Sequence, residues 1–442
     1  MTFDLVLRGG TVVSHRGVGA ADIGVTGGRI MAVGDIGKEQ AGQVIDATGL
    51  HVLPGVIDTQ VHFREPGMEE AEDLESGTRG AVLGGVTAVF EMPNTRPNTS
   101  DPDALADKVR RATNRAWCDF AFYMGGTAQN AAMLGEYERV PGCCGVKVFM
   151  GASTGDLLVA EDEPLASILR HGSRRVAVHC EDNPRMDERK HLRGDHPRNH
   201  PVWRDVQSAL LATQRLIHLA RDARRRVHVL HVTTAEEMAF LAHHKDIASV
   251  ETTPQHLTLA APDAYERLGT RAQMNPPIRE AHHRAALWRA LNAGVVDVLG
   301  SDHAPHSKAN KAKTYPESPS GMPGVQTILP LMLDHVAAGR LSLLQVVDLL
   351  CHGPARLFGI VGKGRIAVGG EADFTVVDLK ARRTITDAMM ASKCGWTPYD
   401  GMTVTGWPKM TIIRGDTVMR DDELRKPAGQ ALRFNEGGAT FR

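Results

Sequence analysis

A chain of 442 residues with 42% hydrophobic content can bury a large core, and its length suits one big catalytic domain with a smaller one attached. Its 51 Lys and Arg nearly balance 52 Asp and Glu, which gives no global field for nucleic acid or an anionic membrane, so any preference for an anion must be local. The opening Met1-Thr2-Phe3-Asp4 has no long apolar run and indicates neither a signal peptide nor a membrane span, the six cysteines are scattered and read as reduced thiols, and cytoplasm is the expected compartment.

Residues 1–53 read as short strands separated by Gly turns: Asp4–Arg8, Thr11–Ser14, Asp22–Thr26, Arg29–Gly34 and Gln43–Ala47. The pattern then switches to apolar strands alternating with amphipathic helices, which predicts parallel βα units. The strands expected there are Val56–Phe63, Thr87–Met92, Asp119–Met124, Gly145–Met150, Val176–Cys180, Val227–Val232, Ala248–Thr252 and Val295–Gly300. From about residue 364 the short-strand grammar resumes in Gly364–Ile366, Asp373–Asp378, Met410–Arg414 and Thr417–Met419. The expected fold is α/β: a (β/α)₈ TIM barrel over 54–363, with a small β-sandwich built from both termini, 1–53 and 364–442. The active site of such a barrel lies where the C-terminal ends of its strands meet. Two long loops, roughly 183–204 and 303–324, should overhang that rim and cover a substrate.

Unusual side chains keep returning to that rim. Period-2 geometry puts Gln60, His62 and Arg64 on one face of the first strand, so a metal-ligand type sits beside a guanidinium able to hold an anion. Asn94 follows the second strand. Lys147 lies inside an apolar run, Gly-Val-Lys-Val-Phe-Met-Gly, where burial lowers an amine's pKa and exposes a nucleophile able to add carbon dioxide. His179 and His231 end the fifth and sixth strands, and neutral imidazole suits zinc. A lone lysine or histidine at such a place is more often structural; it is the succession that favours a divalent site. Asn275 follows the seventh strand, and Asp302 closes the ring in Ser301-Asp302-His303-Ala304-Pro305-His306, where a carboxylate can take a proton from a water beside a metal. His303 should point away from Asp302, leaving His306 better placed for substrate. The remaining histidines, among them His243-His244, His282-His283 and the run from His191 to His200, read as helix surface or exposed loop. Ser153-Thr154 could donate hydroxyls to a substrate, but an ordinary turn accounts for them as well.

In these motifs the chain resembles the dihydroorotases of the amidohydrolase superfamily over nearly its full length. The similar segments are Val61-His62-Phe63-Arg64-Glu65-Pro66-Gly67, Met92-Pro93-Asn94-Thr95, Gly145-Val146-Lys147-Val148-Phe149-Met150, the His179 and His231 strand ends, Asn275-Pro276-Pro277-Ile278-Arg279 and Ser301-Asp302-His303-Ala304-Pro305. The resemblance implies that His62, an N6-carboxylated Lys147, His179, His231 and Asp302 hold one or two Zn²⁺ ions. It implies that Arg64, Asn94 and His306 clamp a substrate carboxylate with Asn275 near the ring, and that dihydroorotate is opened to N-carbamoyl-aspartate, reversibly, with Asp302 moving the proton. A homo-oligomer is expected, with aspartate transcarbamoylase as a candidate partner; nucleic acid and membrane are not.

Gln60 departs from the family pattern, which usually has histidine there. An amide is the poorer zinc ligand, so the site shared by His62, Lys147 and Asp302 should be weaker than that of Lys147, His179 and His231. Two other readings compete. A hydantoinase or dihydropyrimidinase-like enzyme shares the barrel, but its substrates lack the carboxylate that Arg64 would pair, and Phe149-Met150-Gly151-Ala152 lacks the tyrosine usual there. A catalytically silent subunit that scaffolds a partner has only Gln60 in its favour.

Overall fold

The structure, a computed structural model, describes residues 2–15, 17–37, 40–153 and 156–435. All eight expected barrel strands are present: β1 (Val56–Val61), β2 (Val86–Glu91), β3 (Asp119–Gly125), β4 (Cys143–Phe149), β5 (Val176–His179), β6 (Val227–Val229), β7 (Ala248–Thr252) and β8 (Val298–Leu299). They form one sheet in sequence order, each parallel to the next. A parallel bridge between Val61 and His303 closes the ring, with the His62 N–H donating to the His303 carbonyl at 2.7 Å.

Burial on both faces explains the near-continuous apolar strands. In β5, Val176 and Val178 pack outward into the core beneath the helices, whereas Ala177 faces the barrel interior with Phe90, Tyr123 and Phe358. The same alternation carries His179 inward at the strand's end, and in β4 it turns Lys147 opposite to Val146 and Val148.

Both termini build the flanking sheets. Arg29–Gly34, Asp22–Thr26, Phe3–Arg8 and Ala41–Asp46 make a four-stranded sheet. A seven-stranded sheet runs from Glu423–Leu424 through Asp416–Arg420, Thr403–Ile413, Phe374–Thr384, His51–Pro54 and Thr11–Ser14 to Gly17–Ala20. Val52 pairs with Val376 across the join of the two ends, and Leu5, Ile23, Val25, Phe374 and Ile412 share one core between the sheets. Strands Gly17–Ala20 and His51–Pro54 were not expected. Gly364–Ile366, expected as a strand, is a turn region with Gly362 and Gly364 at φ of 81° and 80°, although Ile366 still reaches the sandwich core.

The C-terminal portion also leaves the sandwich. Residues 430–432 lie along β3, with the Phe120 N–H donating to the Gln430 carbonyl at 3.0 Å and the Leu432 N–H to the Phe120 carbonyl at 2.9 Å. Barrel and sandwich are knotted together by Lys363, whose Nζ lies 2.6 Å from Asp119 and 2.8 Å from Glu371 and also meets Asp373. These three carboxylates lie close enough together to suggest a cation site, but the Lys363 ammonium already sits among them, with Arg414 2.6 Å from Asp119 and Arg433 3.2 Å from Glu371. Among the described residues no helix is long and apolar enough to cross a membrane.

Candidate active site

The C-terminal ends of the barrel strands bring Gln60, His62, Arg64, Asn94, His179, His231, Asn275 and Asp302 around one small cavity, with Phe149, Ser153, Ala304, Ser320 and Gly321 completing its wall. Thr154 lies outside the described residues. The cavity holds about 20 Å³, room for a water or two. It shares Ser153, Asn275 and Ser320 with an outer vestibule of about 460 Å³, lined by both long loops. Those loops meet: Trp203 Nε1 donates to the Tyr315 hydroxyl at 2.9 Å, and Arg193 reaches the Pro316 carbonyl at 3.4 Å.

Two pairs of atoms confront each other in a way that calls for a cation or a proton between them. His62 Nδ1 lies 2.8 Å from Asn94 Oδ1, which only accepts, so the ring proton belongs on Nδ1 and Nε2 keeps its lone pair. That lone pair faces Asp302 Oδ1 at 3.2 Å. In the same way His179 Nε2 donates to Glu181 Oε2 at 2.9 Å, which leaves the lone pair of Nδ1 facing His231 Nε2 at 3.0 Å. Carboxylate or carbonyl partners that fix a histidine's tautomer are the ordinary surroundings of a metal-ligating imidazole. Among the described residues His231 Nδ1 is buried without a partner. The donor set therefore fits a borderline-soft divalent ion such as zinc.

Charges in the site are tuned towards neutrality. Burial pushes the Lys147 ammonium down to about 7, and its charge is felt by His62, His179, His231 and Asp302 alike. Its Nζ donates to the Val148 carbonyl at 3.0 Å and lies 3.9 Å from the Phe149 ring centre. Burial raises the Asp302 carboxyl to about 7 and drives His62 and His231 well below the usual imidazole range. Arg64, His231 and Asp302 have φ of 63°, 37° and 43°, a region that costs a residue with a side chain about 1–3 kcal/mol and that is found where a site dictates geometry. The turn after Arg64 is equally constrained: a Cβ on Gly67 would lie 2.2 Å from the Arg96 carbonyl oxygen.

Arg64 is 2% exposed, and its Nε donates to the Pro305 carbonyl at 3.2 Å. Its Nη1 is buried without a partner. Nη2 lies 3.4 Å from His306 Nε2, but that nitrogen already donates to the Ser320 carbonyl at 2.9 Å and has no lone pair to offer. Among the described residues the outer fork of the guanidinium thus lacks an acceptor. Asn275 sits in the wall with Oδ1 on His200 Nε2 at 2.8 Å. His303 turns away, with Nε2 at 3.3 Å from Glu72.

Two features were not read from the sequence. Glu181, fully buried, clamps His179 and is itself gripped by Arg204, 2.5 Å from its Oε2. It lies two residues beyond the end of β5, on the side of the chain that His179 faces if the extended backbone continues. His200 and His283, expected on a surface, are buried; His200 spans the vestibule wall between Tyr315 and Asn275.

Comparisons agree with this geometry. Residues 51–418 match the model of the amidohydrolase family. A dihydroorotase of Methanosarcina acetivorans is 34% identical over 98% of this chain and 96% of its own length. An allantoinase of Deinococcus radiodurans is 34% identical over 98% of this chain and 99% of its own length. The solved L-hydantoinase (dihydropyrimidinase) of Arthrobacter aurescens superposes with a TM-score of 0.92 at 31% identity, covering 97% of this chain and 99% of that one. The chain therefore belongs to the amidohydrolase family, as a hydrolase acting on cyclic amides.

Proposed function

We propose that the chain is a zinc-dependent dihydroorotase that interconverts dihydroorotate and N-carbamoyl-aspartate. The observation that carries this reading is Arg64, a buried guanidinium whose Nη1 has no partner and whose pKa burial lowers to about 10. Asp302, Glu91 and Glu72 favour its charge from nearby without filling the open fork, and a ring carboxylate matches that fork. His62, Lys147, His179, His231 and Asp302 are the proposed metal ligands, with Lys147 as its carbamate. Zinc bound there would lower the pKa of a water to near neutrality and polarise the ring carbonyl.

The chain's own residues do the rest. Arg64 fixes the exocyclic carboxylate, which sets the register of the ring, and Asn275 borders the ring's edge. Asp302 accepts a proton on its carboxylate and returns it to the departing ring nitrogen. Asn94, proposed with Arg64 and His306 as part of the carboxylate clamp, also holds the tautomer of His62 through Oδ1. The barrel proposed for this chemistry spans 54–363, flanked by 1–53 and 364–442.

A hydantoinase-like reading draws support from the solved L-hydantoinase and from the allantoinase relative. Their rings carry no carboxylate at the position Arg64 would engage, so the guanidinium would remain unanswered. Ring opening by pure, zinc-reconstituted protein, offered dihydroorotate, dihydrouracil, hydantoin and allantoin side by side, tests the assignment. Turnover should be confined largely to dihydroorotate, and preference for any of the other three would refute it.

A further inference from the structure

The strands that carry His179 and His231 at one end begin, at the opposite mouth of the barrel, in two arginine-rich turns: Arg170 to Arg175 before β5 and Arg224-Arg225-Arg226 before β6. The turns enclose a cavity of about 430 Å³ lined by Arg170, Arg174, Arg175, Arg224, Arg225 and Arg226, with Leu357 and Phe358 as an apolar wall. Among the described residues no Asp or Glu lines it. The formal net charge of the whole chain is −1, so this concentration does not follow from composition.

Arg225 and Arg170 each pair with a carboxylate. Arg225 is buried on Glu138 at 2.8 Å and also holds the carbonyls of His171 and Arg174, which makes it a structural tie between the turns. Arg170 pairs with Glu163 at 2.9 Å on the surface. Arg174 and Arg175 donate instead to the carbonyls of Cys143 and Val227, neutral acceptors that leave the positive charge in place. Asp297, close enough to favour the charge on Arg175, is held by Lys245. Burial and the neighbouring Arg226 and Arg356 lower the Arg175 guanidinium to about 10.

We infer that this cavity binds a multiply charged oligophosphate, either free or as the triphosphate of a nucleotide. Guanidinium forks match phosphate oxygens two by two, and a cluster of them calls for several negative charges on one small ligand. The volume lies within the usual range of small-molecule sites. The site stands on the face opposite the catalytic rim, so it is independent of the substrate assigned above.

Calorimetric titration of the zinc-loaded, full-length protein with tripolyphosphate tests the inference, with ATP and adenosine as parallel arms. Wild type should bind tripolyphosphate saturably at one site per chain, and Arg224→Gln/Arg226→Gln should weaken that binding by about tenfold or more while ring opening without the ligand stays unchanged. Any tripolyphosphate drawn to the zinc is common to wild type and variant, so their difference reads the cavity. ATP binding more tightly than tripolyphosphate would support a nucleotide as the occupant, and equal binding a free oligophosphate. Arg224→Glu, on an exposed side chain, should weaken binding in the same sense should the double variant fail to fold. Unaltered affinity in these variants, adenosine binding as well as ATP, or no saturable binding up to about 1 mM would overturn it.

Discussion

Gln60 donates its side-chain Nε2 to Oδ1 of Asp302 at 3.0 Å, the oxygen that also faces His62 Nε2. An imidazole at position 60 would offer a lone pair to an ion; the amide offers an N–H and takes up an acceptor site on Asp302. Among the described residues its own Oε1 is left buried without a partner, a weak oxygen donor at best for zinc. One ion held by Lys147, His179 and His231 and a second held weakly is the expected stoichiometry. Zinc titrated into stripped protein should restore most activity near one equivalent, and Gln60→His should tighten a second equivalent. Two equivalents of similar high affinity in wild type would mean that Gln60 Oε1 is a competent ligand.

Lys147 should carry the carbamate. Because burial lowers its pKa to about 7, the neutral, nucleophilic amine gains population as pH rises through that value. Metal reconstitution in the presence of bicarbonate should therefore be faster at pH 8 than at pH 6. Lys147→Ala should lose bound zinc and activity together, with partial rescue by short carboxylic acids. Full activity in that variant would remove the lysine from the site.

Glu181 fixes the tautomer that frees His179 Nδ1. Glu181→Gln should weaken zinc by about 10–100-fold, read by competition with a chelator. Burial opposes its charge, but Arg204 and His179 outweigh burial and hold the carboxyl well below the usual carboxylate range. The sign of its linkage follows: a depressed folded pKa contributes stability that is present above the ordinary carboxylate pKa and lost as pH falls towards the folded one. Melting temperatures of metal-free protein should accordingly fall less steeply on the acid side in Glu181→Gln than in wild type. Parallel acid limbs would show that the Arg204 pair contributes nothing net.

Much of this was legible in the sequence because parallel barrel strands are buried on both faces and announce themselves as apolar runs. A polar residue that ends such a run, as His179, His231 and Asp302 do, has few reasons to be there. Short flanking strands carry weaker signals. His51–Pro54 ends in a proline at its junction with the barrel, and Gly17–Ala20 has mostly exposed or half-buried residues with little apolar pattern. Ile366 looked like a strand residue because it is apolar and buried, yet the glycines around it turn the chain. The return of residues 430–432 to β3 and the docking of Trp396 Nε1 on the His306 carbonyl at 2.8 Å are tertiary choices that no local periodicity encodes. Glu181 was hidden for a different reason: one carboxylate after a strand is common, and only its grip on His179 distinguishes it.

The central claim is that Arg64 selects an acidic ring, and the ratio of kcat/KM for dihydroorotate to that for dihydrouracil, measured in wild type and in Arg64→Met, tests it most directly. Wild type should favour dihydroorotate strongly. The variant should lose about 2–5 kcal/mol of that preference, through a raised KM for the acid with little change for the neutral ring. A wild type that prefers dihydrouracil, or a ratio that Arg64→Met leaves unchanged, would contradict the assignment.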